Sequence, residues 1–250
     1  MSLVLSLFPG IGLLDHAFSA EGFCVVRGPD LLWGGDVRTF HPPAGRFDGV
    51  IGGPPCQRWS RLAVLVRHVH GEEALAEDLI PEFARVVTES QPDWFLMENV
   101  PAAPAPETPG YRMQTIMLDN RHVDRGDGIG EVQRRVRRWV WGVRDDLGYG
   151  ELDLGPELAV LESADYRPAV TAQGTEWCPA LSRPGQHCRG RPVGRRTRAN
   201  LAASVEAQGL PAGWSVSPPY TVGAALQAVG NGVPIPMGRA LARAVRRAIA

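Results

Sequence analysis

Lysine is absent from all 250 residues: every one of the 26 basic positions is arginine, set against 27 acidic residues for a net charge of -1. Arg-only usage beside plentiful Ala, Gly and Pro fits a GC-rich coding sequence, and guanidinium forks suit phosphate contact. The charge is unevenly placed. Arg134 to Arg144 carries five arginines and Arg183 to Arg198 six with no acid among them, whereas Glu72 to Glu82 is acidic. Runs of this kind are either solvated faces or phosphate-binding stripes, so charge alone leaves nucleic-acid binding open.

Long apolar stretches are missing as well. None approaches the roughly 20 residues that span a bilayer, and the first residues lack the basic start and cleavage site of a secretory signal. Cysteine is scarce: Cys24, Cys56, Cys178 and Cys188 follow no regular spacing, which excludes a disulfide framework and fits a reducing compartment. Cys178, His187 and Cys188 match no common zinc spacing and no fourth ligand is evident, so no metal is expected. These absences predict a soluble cytoplasmic protein with no membrane association. A chain of this length with 44% hydrophobic residues suits one large α/β domain with a small appendage.

The hydrophobic pattern alternates short strands with helices. Leu3 to Phe8 reads as a buried strand, Pro9-Gly10-Ile11-Gly12 as a tight turn and Leu13 to Ala20 as a helix. Strands follow at Phe23 to Val26, around Val50-Ile51, at Trp94 to Met97 and at Val136 to Val143. Leu75, Leu79, Phe83 and Val86 predict one helix over about 72 to 90, and Leu241, Ala244, Val245 and Ala248 a last helix over about 237 to 249. Pro101 to Pro109 is a loop, and residues 145 to 195 lack periodicity. The order predicts a largely parallel sheet covered on both faces.

Two places carry chemistry. Pro54-Pro55-Cys56-Gln57 directly follows the Val50-Ile51 strand, so two prolines and Gly52-Gly53 hold a thiol on a rigid turn. A free thiol with a pKa of about 8.5 is only about 3% ionised at pH 7, and Arg58 and Arg61 stand near enough in sequence to help. The opening Phe-Pro-Gly-Ile-Gly lacks the GxGxxG spacing of dinucleotide binders, which argues against a dehydrogenase-like protein. It still leaves room for a ligand over Gly10 and Gly12, with Phe8 able to stack. Asp36 falls where a ligand would lie outside the carboxyl ends of the strands.

In order, these pieces resemble the DNA (cytosine-5)-methyltransferases. Leu5 to Gly12 resembles the first S-adenosylmethionine motif, Gly35-Asp36-Val37 the acid that meets adenine, and Gly53 to Gln57 the nucleophile motif. Glu98-Asn99-Val100 resembles the ENV motif, Gln133-x-Arg135-x-Arg137 the QxRxR motif, and Gly230-Asn231-Gly232-Val233-Pro234 the last motif.

The resemblance implies a Rossmann-like S-adenosylmethionine-dependent methyltransferase fold. A catalytic and cofactor-binding domain would cover 1–144, a small irregular target-recognition region 145–198, and a returning C-terminal segment 199–250. It implies Cys56, Glu98, Arg135 and Arg137 as catalytic residues. Cofactor contacts would come from Phe8, Gly10, Gly12, Leu13, Asp30, Asp36, Val37, Pro55, Asn231 and Val233. Gln57, Arg58, Ser60, Arg61, Arg195 and Arg196 would meet double-stranded DNA. Residues Arg58 to Gly71 would form the mobile loop that closes on a flipped base, although Leu62 to Val66 is apolar enough for part of it to be a buried helix.

The chain departs from the family pattern in three places: little separates Val26 from Asp36, the helix expected after Glu98-Asn99-Val100 gives way to the Pro/Ala loop, and the target-recognition region is very small. A monomer that protects DNA against restriction, with a restriction endonuclease as companion and a short recognition site, is the resulting expectation. The alternatives are a catalytically silent DNA-binding relative and a transfer-RNA methyltransferase, whose Cys-Phe-Thr insertion the chain does not resemble.

Overall fold

The computed structural model describes residues 2–164, 170–171, 174–175, 198–211, 214 and 220–250. Strands β1 (Leu3–Leu7), β2 (Cys24–Arg27), β3 (Gly49–Gly52), β4 (Trp94–Asn99), β5 (Tyr111–Asp119) and β6 (Val136–Arg144) form one sheet in the order β2-β1-β3-β4-β6-β5. The first four run parallel. β6 is antiparallel to β4, and β5 pairs antiparallel with β6. A two-residue pair, β7 (Val170–Thr171) with β8 (Gly174–Thr175), lies outside this sheet.

Strict alternation along the strands builds a core on each face. Val4, Ile51, Trp94, Leu96, Trp139 and Trp141 turn toward helix α1 (Leu13–Ala20) and the last helix, α6 (Ile235–Ala248), which contribute Phe18, Met237, Leu241 and Val245. The intervening Leu5, Val50, Phe95, Met97 and Val140 face the other way, onto Phe83, Val86 and Val87 of α3 (Ile80–Ser90). Helices α4 (Arg198–Ala207) and α5 (Val222–Asn231) close a smaller cluster around Leu13, Val205, Val229 and Ile235.

Most predicted elements fall within a residue or two of their places. The helix predicted over 72–90 does not: only Ile80 to Ser90 is α-helical, and Glu72–Ala74 is a single 3-10 turn. Pro81 is the reason. Its ring clashes with the carbonyl of residue 77 in a continuous helix and it lacks an N–H, so it is tolerated only in the first turn. Asp78 marks that start by accepting from the Ile80 N–H at 3.0 Å. Over Arg58 to Gly71, expected as a loop of which part could be helix, the chain forms a 3-10 turn, Gln57–Trp59, and then α2 (Arg61–His70), so the helical alternative holds there. Tyr111 onward is the nine-residue edge strand β5. Leu147, Tyr149, Leu152 and Leu154 pack against the sheet's first core.

Two strand glycines are required by close approach. A Cβ on Gly49 would sit 2.2 Å from the Trp94 ring, and one on Gly142 would sit 2.0 Å from Phe95. Forcing a methyl beneath a packed ring costs about 1 to 3 kcal/mol. Gly142→Ala is therefore expected to lower stability by about that amount, read as a shifted urea midpoint with an unchanged slope.

Candidate active site

Every strand feeding the site delivers its residue at one edge of the sheet. β1 ends in Phe8, held at φ 55, and Gly10 and Gly12 follow at φ 54 and 81. A bulky residue in the left-handed region is strained by about 1 to 3 kcal/mol, which the surrounding turn must offset. Here the Phe8 N–H donates to Pro29 at 3.3 Å, and Asp30 accepts from Gly10 N–H at 2.7 Å and Leu32 N–H at 2.8 Å. Asp30 thus splices the glycine turn to the end of β2.

Nothing lies within 4 Å of a Cβ built on Gly10, so the turn faces an open cradle, whereas a Cβ on Gly12 would meet the Arg27 guanidinium at 2.0 Å. Arg27 is drawn under the turn by Asp15, at 2.8 Å, whose other oxygen accepts from the Ser6 hydroxyl at 2.5 Å. Burial pushes the Asp15 carboxyl up, against the pull of both partners. Leu13 is buried beneath, and a Cβ on Gly232 would sit 2.5 Å from it, so the segment carrying Asn231 and Val233 comes back against the first turn of α1.

Two residues outside the motifs, Trp33 and Arg38, tie parts of this region together. Trp33, 57% exposed, donates its indole N–H to the Gly10 carbonyl at 2.7 Å. Arg38 forks onto Asp36, with bonds of 2.6 to 3.0 Å, and holds that carboxyl below its usual range; its other nitrogen reaches Glu77 at 3.0 Å. Val37 is buried behind. An aspartate two residues before an arginine is the signal that would have found this pair.

Cys56 caps the 3-10 turn that follows β3, half-buried, with Pro55 before it. Asn99, fully buried at the end of β4, donates to the Pro54 carbonyl at 3.2 Å while its own oxygen accepts from Val100 N–H at 2.8 Å. The cysteine turn is therefore pinned by the residue next to Glu98. Gly53 lets the two approach, since a Cβ there would lie 3.0 Å from the Glu98 carboxylate. Glu98 pairs with Arg137 at 2.7 Å, both nearly buried.

These charges set the thiol. Burial pushes Cys56 up first, Glu98 adds to that, and Arg137 and then Arg135 pull it down. The sequence expectation named Arg58 and Arg61 for that work. Arg58 instead donates to the Ala76 carbonyl at 3.4 Å and lies 3.6 Å from Glu72, and Arg61 begins α2. Gln57 is exposed, and Ser60 caps α2 by accepting from Ala63 N–H at 3.3 Å. Arg195 and Arg196 lie outside the described residues, as do Cys178, His187 and Cys188.

Arg135 is 3% exposed and donates to the carbonyls of Gly230 at 3.1 Å and Gly232 at 3.0 Å. Burial pushes its pKa down to about 9, which still leaves it charged at neutral pH. Gln133 donates to Ala207 at 2.8 Å, and Gln208 to Val229 at 2.7 Å and Gly232 at 3.1 Å. This buried amide and guanidinium clasp fixes the returning C-terminal segment, and Gln208 had no signal in its local sequence.

A Rossmann-like sheet with the cysteine turn and the glycine turn along one edge has the methyltransferase fold. Over its whole length the chain superposes on a putative DNA modification methyltransferase encoded within an E. coli prophage, with a TM-score of 0.65 at 16% identity and 99% of that chain covered. Spodoptera frugiperda DNMT2 shares the fold at a TM-score of 0.64, 12% identity, 98% of this chain and 100% of that one. Residues 34–151 match the model of the C-5 cytosine-specific DNA methylases. The type II methyltransferase M.NgoPII of Neisseria gonorrhoeae is 29% identical over 58% of this chain and 48% of its own length. The orphan methyltransferase M.SPRI of Bacillus phage SPR is 25% identical over 58% and 38%. The match over residues 34–151 covers less than half of the chain, and the chain spans less than half the length of these curated relatives.

Two variants test the electrostatic setting. Loss of the Cys56 proton is opposed by burial and by Glu98, so alkylation by iodoacetamide should rise with pH to a midpoint above the ordinary thiol value of about 8.5. Glu98→Gln should move that midpoint down and Arg137→Gln should move it up; equal midpoints in all three proteins would contradict the assignment.

Proposed function

We propose that the protein transfers a methyl group from S-adenosylmethionine to carbon 5 of a cytosine in double-stranded DNA. The observation that supports this most directly is the convergence of a pinned, half-buried Cys56 with the Glu98–Arg137 ion pair, since a binding module has no use for a nucleophile so placed. The open cradle over Gly10 and the Asp36 carboxylate fit the cofactor's amino-acid tail and adenine, with Phe8, Gly12, Leu13, Asp30, Val37, Pro55, Asn231 and Val233 around them. When bound, the cofactor supplies an electrophilic methyl.

The chain's own residues do the rest. A stacked base is out of reach of Cys56, so the target cytosine is flipped out at a cost of a few kcal/mol. Cys56 loses its proton and its sulfur bonds to carbon 6, which turns the unreactive ring into a nucleophile at carbon 5. Glu98 hydrogen-bonds ring nitrogen 3 and the exocyclic amino group and shares a proton as charge builds there. Arg137 meets oxygen 2. Arg135 holds the C-terminal wall and its charge favours the thiolate. Departure of the carbon 5 proton then expels the Cys56 sulfur.

Bases would be read within 145–198, a small region, and each wrong base pair costs about 1 to 3 kcal/mol. A site of about two to four base pairs follows, with protection against restriction as the biological role, in a cytoplasmic monomer that works beside a restriction endonuclease. Among the described residues no helix is long and apolar enough to cross a membrane.

Labelled methyl transfer to duplex DNA and to transfer RNA decides between the nucleic acids. Transfer to DNA that is lost in Cys56→Ala is expected, with bisulfite sequencing giving a short consensus. Transfer to transfer RNA alone, activity surviving in Cys56→Ala, or a long strict consensus would each overturn the corresponding part.

A further inference from the structure

The acidic stretch that begins at Glu72 has no place in the chemistry above, yet it is tied to the site at several points. After α2 the chain reverses at Gly71, held at φ 87, and brings Glu72 back between two arginines. One is Arg58, two residues beyond Cys56, at 3.6 Å; the other is Arg67 in the last turn of α2, in close ion-pair contact. Arg58 is also fastened to the Ala76 carbonyl, Glu77 reaches Arg38, and Asp78 Oδ1 lies 3.4 Å from the Trp59 indole nitrogen.

A single carboxylate bridging two guanidiniums reproduces what a phosphodiester offers them: one negative charge and acceptor oxygens for charge-assisted bonds. The trio carries a net charge of +1. All three side chains reach water, at 31% for Arg58, 43% for Arg67 and 60% for Glu72. Pairs this exposed are weak and open readily to a competing anion. Arg58 would keep its position after such an exchange, because the Ala76 carbonyl holds it independently of Glu72.

We propose that Glu72 is a placeholder for a DNA phosphate: in the free protein it occupies a backbone-phosphate site made by Arg58 and Arg67, and DNA must displace it to seat beside Cys56. This rests on the DNA reading of the site. The device lowers affinity for any stretch of backbone that cannot hold the exchange. It therefore favours a duplex already engaged at the flipped base.

The test measures binding of a DNA duplex to the full chain by fluorescence anisotropy across a salt series. Glu72→Gln should tighten binding about fivefold at low salt and steepen the log K against log salt slope by about one, as one more released counterion requires. Glu73→Gln removes the same formal charge one residue on, from a carboxylate lying against Gly71, and should show less than half of that gain. In an Arg58→Gln/Arg67→Gln background the Glu72→Gln gain should vanish, and thermal unfolding of each variant checks that it is folded. Equal effects of Glu72→Gln and Glu73→Gln, or a gain that persists without the two arginines, would overturn the placeholder while leaving the DNA reading intact. A wild-type chain that binds no duplex would overturn both.

Discussion

A guanidinium taken almost wholly out of water must be given carbonyls to replace the solvent, and Arg135 finds its own nearly a hundred residues away, at Gly230 and Gly232. Gln133 and Gln208 complete the arrangement with hydrogen bonds from their amide groups, Gln133 to Ala207 and Gln208 to Val229 and Gly232. Each of these side chains would be costly if its partner moved, since a buried donor left unpaired loses about 1 to 3 kcal/mol, more when charged. The C-terminal segment is therefore locked in one position, with Gly232 pressed on Leu13 and α6 laid against α1. The glycine turn that leads into α1 is backed by that lock through Leu13.

The same guanidinium also reaches the reactive group through space. Cys56 feels Arg135 and Arg137 as stabilisers of its thiolate and Glu98 as an opponent, with burial outweighing both. Burial and Glu98 thus act together against loss of the Cys56 proton. Glu98 is itself held by Arg137 at 2.7 Å, so the carboxylate that opposes the thiolate and the cation that favours it are joined in one pair. Asn99 contributes by geometry alone, pinning Pro54 so that the sulfur is presented from a fixed turn.

Where pattern and partners were local, the sequence was readable. The β1-turn-α1 opening, the strand before Cys56 and the strand ending in Glu98 follow from alternation and from glycine and proline placement within a few residues. Reading the apolar spacing of Leu75 and Leu79 as helix overlooked Pro81, a local breaker that outweighs periodicity. Arg58 lies two residues from Cys56 in sequence, and proximity of that kind was mistaken for electrostatic influence; Arg137, 81 positions on, supplies it. Gln208 and Asn99 were beyond reach for a different reason. Each acts through a bond to a distant backbone carbonyl, and an amide that will find such a partner looks like any other in the chain.

The clasp at Gly230 and Gly232 also bears on synthesis. On the ribosome, β1, the cysteine turn and β4 all emerge before the segment that carries Gly230 and Gly232, and Arg135 lacks those carbonyls until that segment is out. Contacts spanning so much sequence form late in folding. A chain interrupted before Gly230 would therefore leave the Arg135 guanidinium without the carbonyls that replace its water, and Leu13 without the segment that packs on it.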